Sequence, residues 1–205
     1  MRVRLTAAFI VLCFVTAPAA FAEDKKDGEK PKGPQFDGMD ISGKDFSGKN
    51  LANGNFERAV CKQTNFNKCI LTGANFKDAD LRTARMNGAD MTGADFDKAK
   101  LEGVEWGFVD LSKANMEGQD LSNVVGLNQV KFRGTNLRKL KGIGGILNGC
   151  DFTGADLRGA NLSGLTQAGA KANFSKAKYD EDTEWPKGFD PKEEGAVLVT
   201  EKPKK

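Results

Sequence analysis

The sequence predicts an all-β repeat protein, because apolar residues recur at every fifth position and small residues keep a fixed offset from them. Neither an α-helix, with 3.6 residues per turn, nor an ordinary strand, with a period of two, produces this spacing. We therefore interpret each five-residue unit as burying one large side chain, its centre. The centres of the regular part are Phe36, Ile41, Phe46, Leu51, Phe56, Cys61, Phe66, Leu71, Phe76, Leu81, Met86, Met91, Phe96, Leu101, Trp106, Leu111, Met116 and Leu121.

Small residues define the rest of the unit. Alanine often stands two positions before a centre, as at Ala59 and Ala74, Asp or Asn often precedes the centre, and Gly often follows it by two. Segments such as ANFKD, ADLRT and ADMTG show this order. Over residues 36–179 the pattern, with interruptions, resembles the A(D/N)LXX motif of the pentapeptide-repeat proteins.

The resemblance implies a right-handed quadrilateral β-helix of about seven coils, with four pentapeptides in each coil. The centre and the small residue two before it face inward, and the other positions face solvent. Coils separated by the spacing of hydrogen-bonded strands, about 4.8 Å, stack residues that are twenty apart. Every twentieth centre then predicts an internal core stack of Phe36, Phe56, Phe76 and Phe96.

Two irregularities interrupt the period. After Leu121 the register slips by one residue, so we expect residues 122–126 to bulge. Around residues 141–145 the period places Gly142 at a centre. Two more residues are inserted before Phe174 and Tyr179. All of these features are interpreted as local defects within one domain.

The chain ends outside the repeat have their own predicted roles. Residues 180–200 form a predicted C-terminal cap, in which Trp185 and Phe189 cover the open end of the solenoid. Residues 201–205 form a disordered tail, and the charged, Pro- and Gly-containing residues 23–35 form a disordered linker.

The first 22 residues have the pattern of a secretory signal peptide. Two arginines precede an apolar run, and Ala20-Phe21-Ala22 precedes an abrupt polar stretch. The run is too short for a membrane span, which needs about 20 apolar residues. Cys13 follows Leu12, where a lipoprotein signal has a small residue, so we predict no lipid anchor. We expect cleavage after Ala22 and a periplasmic or secreted protein.

The charge balance argues against a polyanion partner. Without the signal peptide, 29 basic residues face 28 acidic ones, a net charge of +1. This near-neutrality disfavours binding of nucleic acid through bulk charge, and equally an acidic DNA mimic. The basic residues between Asp120 and Asp151 are expected to pair across coils, Lys131 with Asp110 and Asp151, and Arg138 with Glu117.

No catalytic, cofactor or metal site is predicted. The chain has no histidine, and most carboxylates fall at outward positions without a shielded pocket. Cys61, Cys69 and Cys150 occupy inward positions, where we interpret them as buried free thiols; only Cys61 and Cys69 are near enough to pair.

Two functions remain open at this point. The first is an exported structural or protein-interaction scaffold with an unknown protein partner. The second is a topoisomerase-binding DNA mimic, as in the quinolone-resistance members of the family that the sequence resembles. Apolar residues at outward positions suggest an interaction patch for the scaffold, formed by Phe108, Ile143 and Ile146.

Overall fold

The computed structural model describes residues 33–166 and 171–200, which form a ladder of parallel β-bridges. The predicted signal peptide, residues 23–32 of the linker and the tail 201–205 lie outside this part. Bridges join residues twenty apart in the regular coils and up to twenty-three apart beyond them, and they recur in four columns, which we number in chain order. The columns begin with the pairs Gln35–Asn55, Asp40–Val60, Asp45–Asn65 and Asn50–Ile70. Gln35, predicted as linker, therefore already belongs to the ladder.

Each regular five-residue unit builds its part of the ladder with the same backbone bonds. The N–H of the centre Phe56 donates to Asn75 O of the next coil at 2.7 Å. The N–H of Ala59 donates back to Phe56 O at 3.0 Å and closes a turn. The residue two after a centre has a positive φ, as at Gly73 (φ 68°), which explains the frequent glycine there.

Where the pairing extends over two residues, six short strands result. They are β1 (Asp120–Leu121), β2 (Gly142–Ile143), β3 (Gly145–Ile146), β4 (Leu165–Thr166), β5 (Lys178–Tyr179) and β6 (Val197–Leu198). The parallel pairs are β1 with β2, β3 with β4, and β5 with β6. Because β6 pairs with β5, the ladder continues into the segment that the sequence predicts as a separate cap.

The N-terminal part of the core contains one continuous column of phenylalanine rings. Phe36, Phe56, Phe76 and Phe96 stack with ring centroids 4.8, 4.7 and 5.2 Å apart. These are the residues of the predicted core stack. Rings of the third column meet them edge to face, with Phe66 5.6 Å from Phe56. The two columns together fill the interior, as the low exposure of these side chains shows.

The C-terminal part of the core uses the fourth column instead. Phe132, Phe152 and Phe174 stack at 4.8 and 4.9 Å. Trp185 lies edge to face on Phe174 at 5.5 Å and is stacked on Phe189 at 4.9 Å. These two aromatic side chains lie over the last rings of the solenoid.

Both irregular segments differ from the prediction in detail. The extra residue after Leu121 is Gly126, which is exposed and has a φ of 78°, between Val125 and the buried Leu127. In the second segment Ile143, not Gly142, is the inward residue, since Leu121 pairs with Ile143. Ile143 is 1% exposed, so its predicted place in an outward patch is wrong. A large apolar side chain fills the interior where a glycine would leave a void.

Candidate interaction surface

The carboxylates next to the centres are engaged in holding turns. The carboxylate of Asp120 accepts the N–H of Ser122 at 2.9 Å, and this bond lowers its pKa. At Asp80 the Arg82 guanidinium donates at 2.8 and 2.7 Å and lowers the pKa to about 2. A general acid needs a raised pKa, so these groups are unsuited to proton transfer near neutral pH.

The three cysteines are buried free thiols. Burial raises the pKa of Cys61 to about 12 and that of Cys150 to about 11. The thiols of Cys69 and Cys150 donate to the carbonyls of Phe46 and Leu127 in the preceding coil. Thiols that remain protonated and inaccessible are poor nucleophiles and poor metal ligands. Within residues 33–166 and 171–200, no cluster of acidic residues and cysteines has the geometry to hold a metal ion.

Charged side chains of opposite sign pair from coil to coil. Lys131 lies 3.1 Å from Asp110, while Asp151 pairs with Arg133 rather than with Lys131. Arg138 lies in register over Glu117, as predicted, because Asn115 pairs with Asn136. The ion pair of Glu117, at 3.7 Å, is nevertheless with Lys139. The basic residues of this region are thus partly neutralised.

A cleft opens between two coils where Gln119 occupies an inward position. The equivalent residues in preceding coils are Ala79 and Ala99. Gln119 is 6% exposed, and its amide nitrogen donates to the carbonyl of Phe96. This side chain lies at the corner where the two coils separate.

The separation interrupts the ladder locally. Asp80 pairs with Lys100, but in the described part of the chain no bridge joins Lys100 to Asp120. The ladder resumes where Gly103 N–H donates to Asn123 O at 2.9 Å. The resulting cleft has a volume of about 590 Å³ and charged side chains of both signs, among them Asp97, Lys98, Lys100, Glu102, Asp120 and Lys141.

The predicted patch of three apolar residues does not form as a unit. Phe108 is 64% exposed, whereas Ile143 is buried. Ile146 belongs to β3, and its Cα pairs with that of Thr166. The sequence prediction missed Val125, which is 54% exposed at the outward position before Gly126. The five-residue period could have identified Val125, because this residue replaces the polar residue that usually precedes a centre.

The repeat ladder and its inward centres define a solenoid of the β-helix type. Sequence models of the pentapeptide repeat region match residues 61–140, and models of pentapeptide repeats match residues 143–166. The chain belongs to the pentapeptide-repeat proteins, which confirms the resemblance that its sequence shows. No curated protein sequence matches it.

Solved structures of other pentapeptide-repeat proteins resemble this fold. HetL of Nostoc sp. strain PCC 7120, involved in heterocyst differentiation regulation, is 20% identical with a TM-score of 0.57, over 82% of this chain and 86% of HetL. A protein of the Arabidopsis thaliana thylakoid lumen is 32% identical over 62% of this chain and 70% of its own, with a TM-score of 0.39. QnrB1, a plasmid-mediated fluoroquinolone resistance protein, is 23% identical over 80% and 79%, with a TM-score of 0.40.

Proposed function

We propose that the protein is an exported, non-catalytic scaffold, a right-handed quadrilateral β-helix of about seven coils that contacts a partner protein through its outer surface. One observation carries the proposal. The groups that could take part in catalysis are the thiols and the carboxylates. The thiols are buried inside the solenoid, and many of the carboxylates accept hydrogen bonds within its turns. Binding by a rigid, regular exterior is the function that this arrangement favours.

Export is supported by the signal-peptide pattern of residues 1–22. Among the described residues, no helix has the length and apolar character needed to cross a membrane. A DNA mimic would need an extended acidic face. The outer charges here include both signs and pair across coils, as in Lys131–Asp110 and Lys77–Asp95, which argues against that alternative.

Fractionation and crosslinking in the native cell test this proposal. We expect the protein outside the cytoplasm, with the mass of a chain that begins at Glu23. A photoreactive residue placed at Lys62, Lys113 or Lys139, on three different columns, should give a discrete protein adduct from at least one position. An intact N-terminus in the cytosol would contradict export. Adducts from no position would contradict a protein partner.

A further inference from the structure

The outer surface around Phe108 forms a neutral strip. Backbone bonds stack its members from coil to coil, with Phe108 N–H donating to Asn128 O and Gln129 N–H to Asn148 O, both at 2.8 Å. We call the exposed residues of this surface the neutral strip: Gly88, Phe108, Asn128, Gln129, Asn148 and Gly149. From Gly88 to Gly149 the strip spans three coil spacings, about 14 Å.

Phe108 contributes little to the stability of the fold. Its φ is 59°, and among the twelve non-glycine residues with positive φ in the described ranges it is the one apolar side chain. Glycine occupies the equivalent turn position in the preceding coil and again two coils later. A bulky side chain is disfavoured in this conformation, and a ring that is 64% exposed contributes little apolar burial. Such a costly residue points to a role outside the fold.

The amides beside the ring are available to a ligand. Asn128 and Gln129 are exposed, and their side chains have no hydrogen-bond partner within the described structure. Earlier in the same column the carbonyl oxygens of Asn67 and Asn87 accept backbone N–H groups of the next coil at 2.8 and 2.7 Å. At the level of Phe108, among the described residues, the Asn128 amide oxygen no longer accepts such a bond from the coil that follows.

The electrostatic surroundings favour an uncharged ligand. The strip has no ionisable side chain, and the carboxylates at its two flanks are engaged. Glu105 accepts a bond from the Asn87 amide at 3.0 Å, and Asp110 lies 3.1 Å from the Lys131 ammonium. Neither a nucleic acid nor an anionic lipid surface would gain from this balance.

We infer that the neutral strip binds a neutral β-linked glycan chain. One sugar ring lies with its C–H groups on the face of Phe108, and the sugar hydroxyls bond to the amides of Asn128 and Gln129. An amide both donates and accepts, which matches the dual character of a hydroxyl group. The coil spacing of about 4.8 Å is close to the length of one sugar unit, so successive coils contact successive units. A protein with an apolar pocket is the competing occupant.

Co-sedimentation of the purified protein with insoluble chitin and cellulose tests this inference. We expect binding to at least one of them, unchanged between about 0.1 and 1 M salt. The change Phe108→Gly should weaken it about tenfold or more. Glycine suits the positive φ at this position, so lost binding cannot be attributed to unfolding. Purified protein makes the result independent of whether export occurs.

The matched control is Gln63→Gly, which removes another exposed side chain at positive φ, in the second column. It should leave binding unchanged. Equal binding by Phe108→Gly, or retention on neither glycan, would overturn the inference. Crosslinking of position 108 to a discrete protein, without glycan retention, would assign the strip to a protein partner instead.

Discussion

The N-terminal coils, residues 36–121, and the C-terminal coils, residues 127–199, fill the same kind of tube from different walls. In the first region the rings stand in the first and third columns, as Phe56 and Phe66 do. In the second region they stand in the fourth column, as Phe132 and Phe152 do. Since both interiors are buried, what the fold requires is a filled cross-section rather than a particular wall.

The two regions also differ in the regularity of their spacing. Phe56 and Phe76 are twenty residues apart, and their rings are 4.7 Å apart. Phe152 and Phe174 are twenty-two residues apart, yet their rings are 4.9 Å apart. The backbone bond from Phe152 N–H to Asn173 O, 2.7 Å, keeps the coils in contact. The ladder therefore maintains the stack across a longer chain segment.

If the ring columns of the two regions are equally important to the core, removing one ring from either region should cost the same. Phe76→Ala and Phe152→Ala should each lower the free energy of unfolding by about 3–5 kcal/mol, because both rings are fully buried between two others. Chemical denaturation measures both losses. A loss below about 1 kcal/mol at either position would mean that its column is not an essential part of the core.

Removal of the aromatic side chain of Trp185 should affect the C-terminal coils more than the N-terminal coils. Trp185→Ala is expected to cost about 2–3 kcal/mol, since the side chain is only partly buried but contacts three rings. Hydrogen exchange should accelerate first at the Val197 and Val199 amides, which bond to Ala177 and Tyr179. Equal acceleration in the coils around Phe56 would contradict a local role.

The sequence Asp-Leu-Arg occurs once in each region, and in both the aspartate has a lowered pKa. Hydrogen bonds from Arg82 lower the pKa of Asp80 to about 2, below the usual value near 4. At Asp156 burial opposes the shift, but the bonds from Arg158 still lower the pKa. A carboxylate with a lowered pKa stabilises the folded state above pH ~4, and this contribution is lost as the pH falls toward 2.

Asp80→Asn should therefore reduce the stability lost between pH 5 and 2 by about 1–2 kcal/mol, after allowance for solvent screening of the pair. Asp156→Asn should change it in the same direction. Denaturation at a series of pH values measures both effects. An unaltered pH dependence in either variant would show that its Asp-Arg pair does not contribute to acid sensitivity.

The smallest expected effect lies near the boundary between the regions. Gln119→Ala should allow the corner to close and gain ladder bonds, offset by the lost bond to Phe96 O, for a net stabilisation of at most about 1 kcal/mol. The Lys98 amide should then exchange more slowly. Faster exchange there would mean that Gln119 holds the coils together instead of separating them.

Particular residues show where prediction from sequence succeeds and where it fails. The inward position of Cys61 follows from the five-residue period alone, and the thiol is indeed buried. Ile143 was misplaced because the segment Lys-Gly-Ile-Gly-Gly fits the period in more than one register. Pairing with Leu121 selects one of them. The cleft at Gln119 was missed because a single larger residue at a small position shows its effect only through the neighbouring coil.

The sequence by itself determined the period, the family and, in the regular coils, the division of residues into inward and outward sets. These follow from local chemistry, since each unit must bury its centre and close its own turn. The tertiary structure decided the register at Gly126 and Ile143, the partner of Glu117 and the opening beside Gln119. Those features depend on contacts between residues about twenty apart, where one inserted residue or one longer side chain changes which atoms meet.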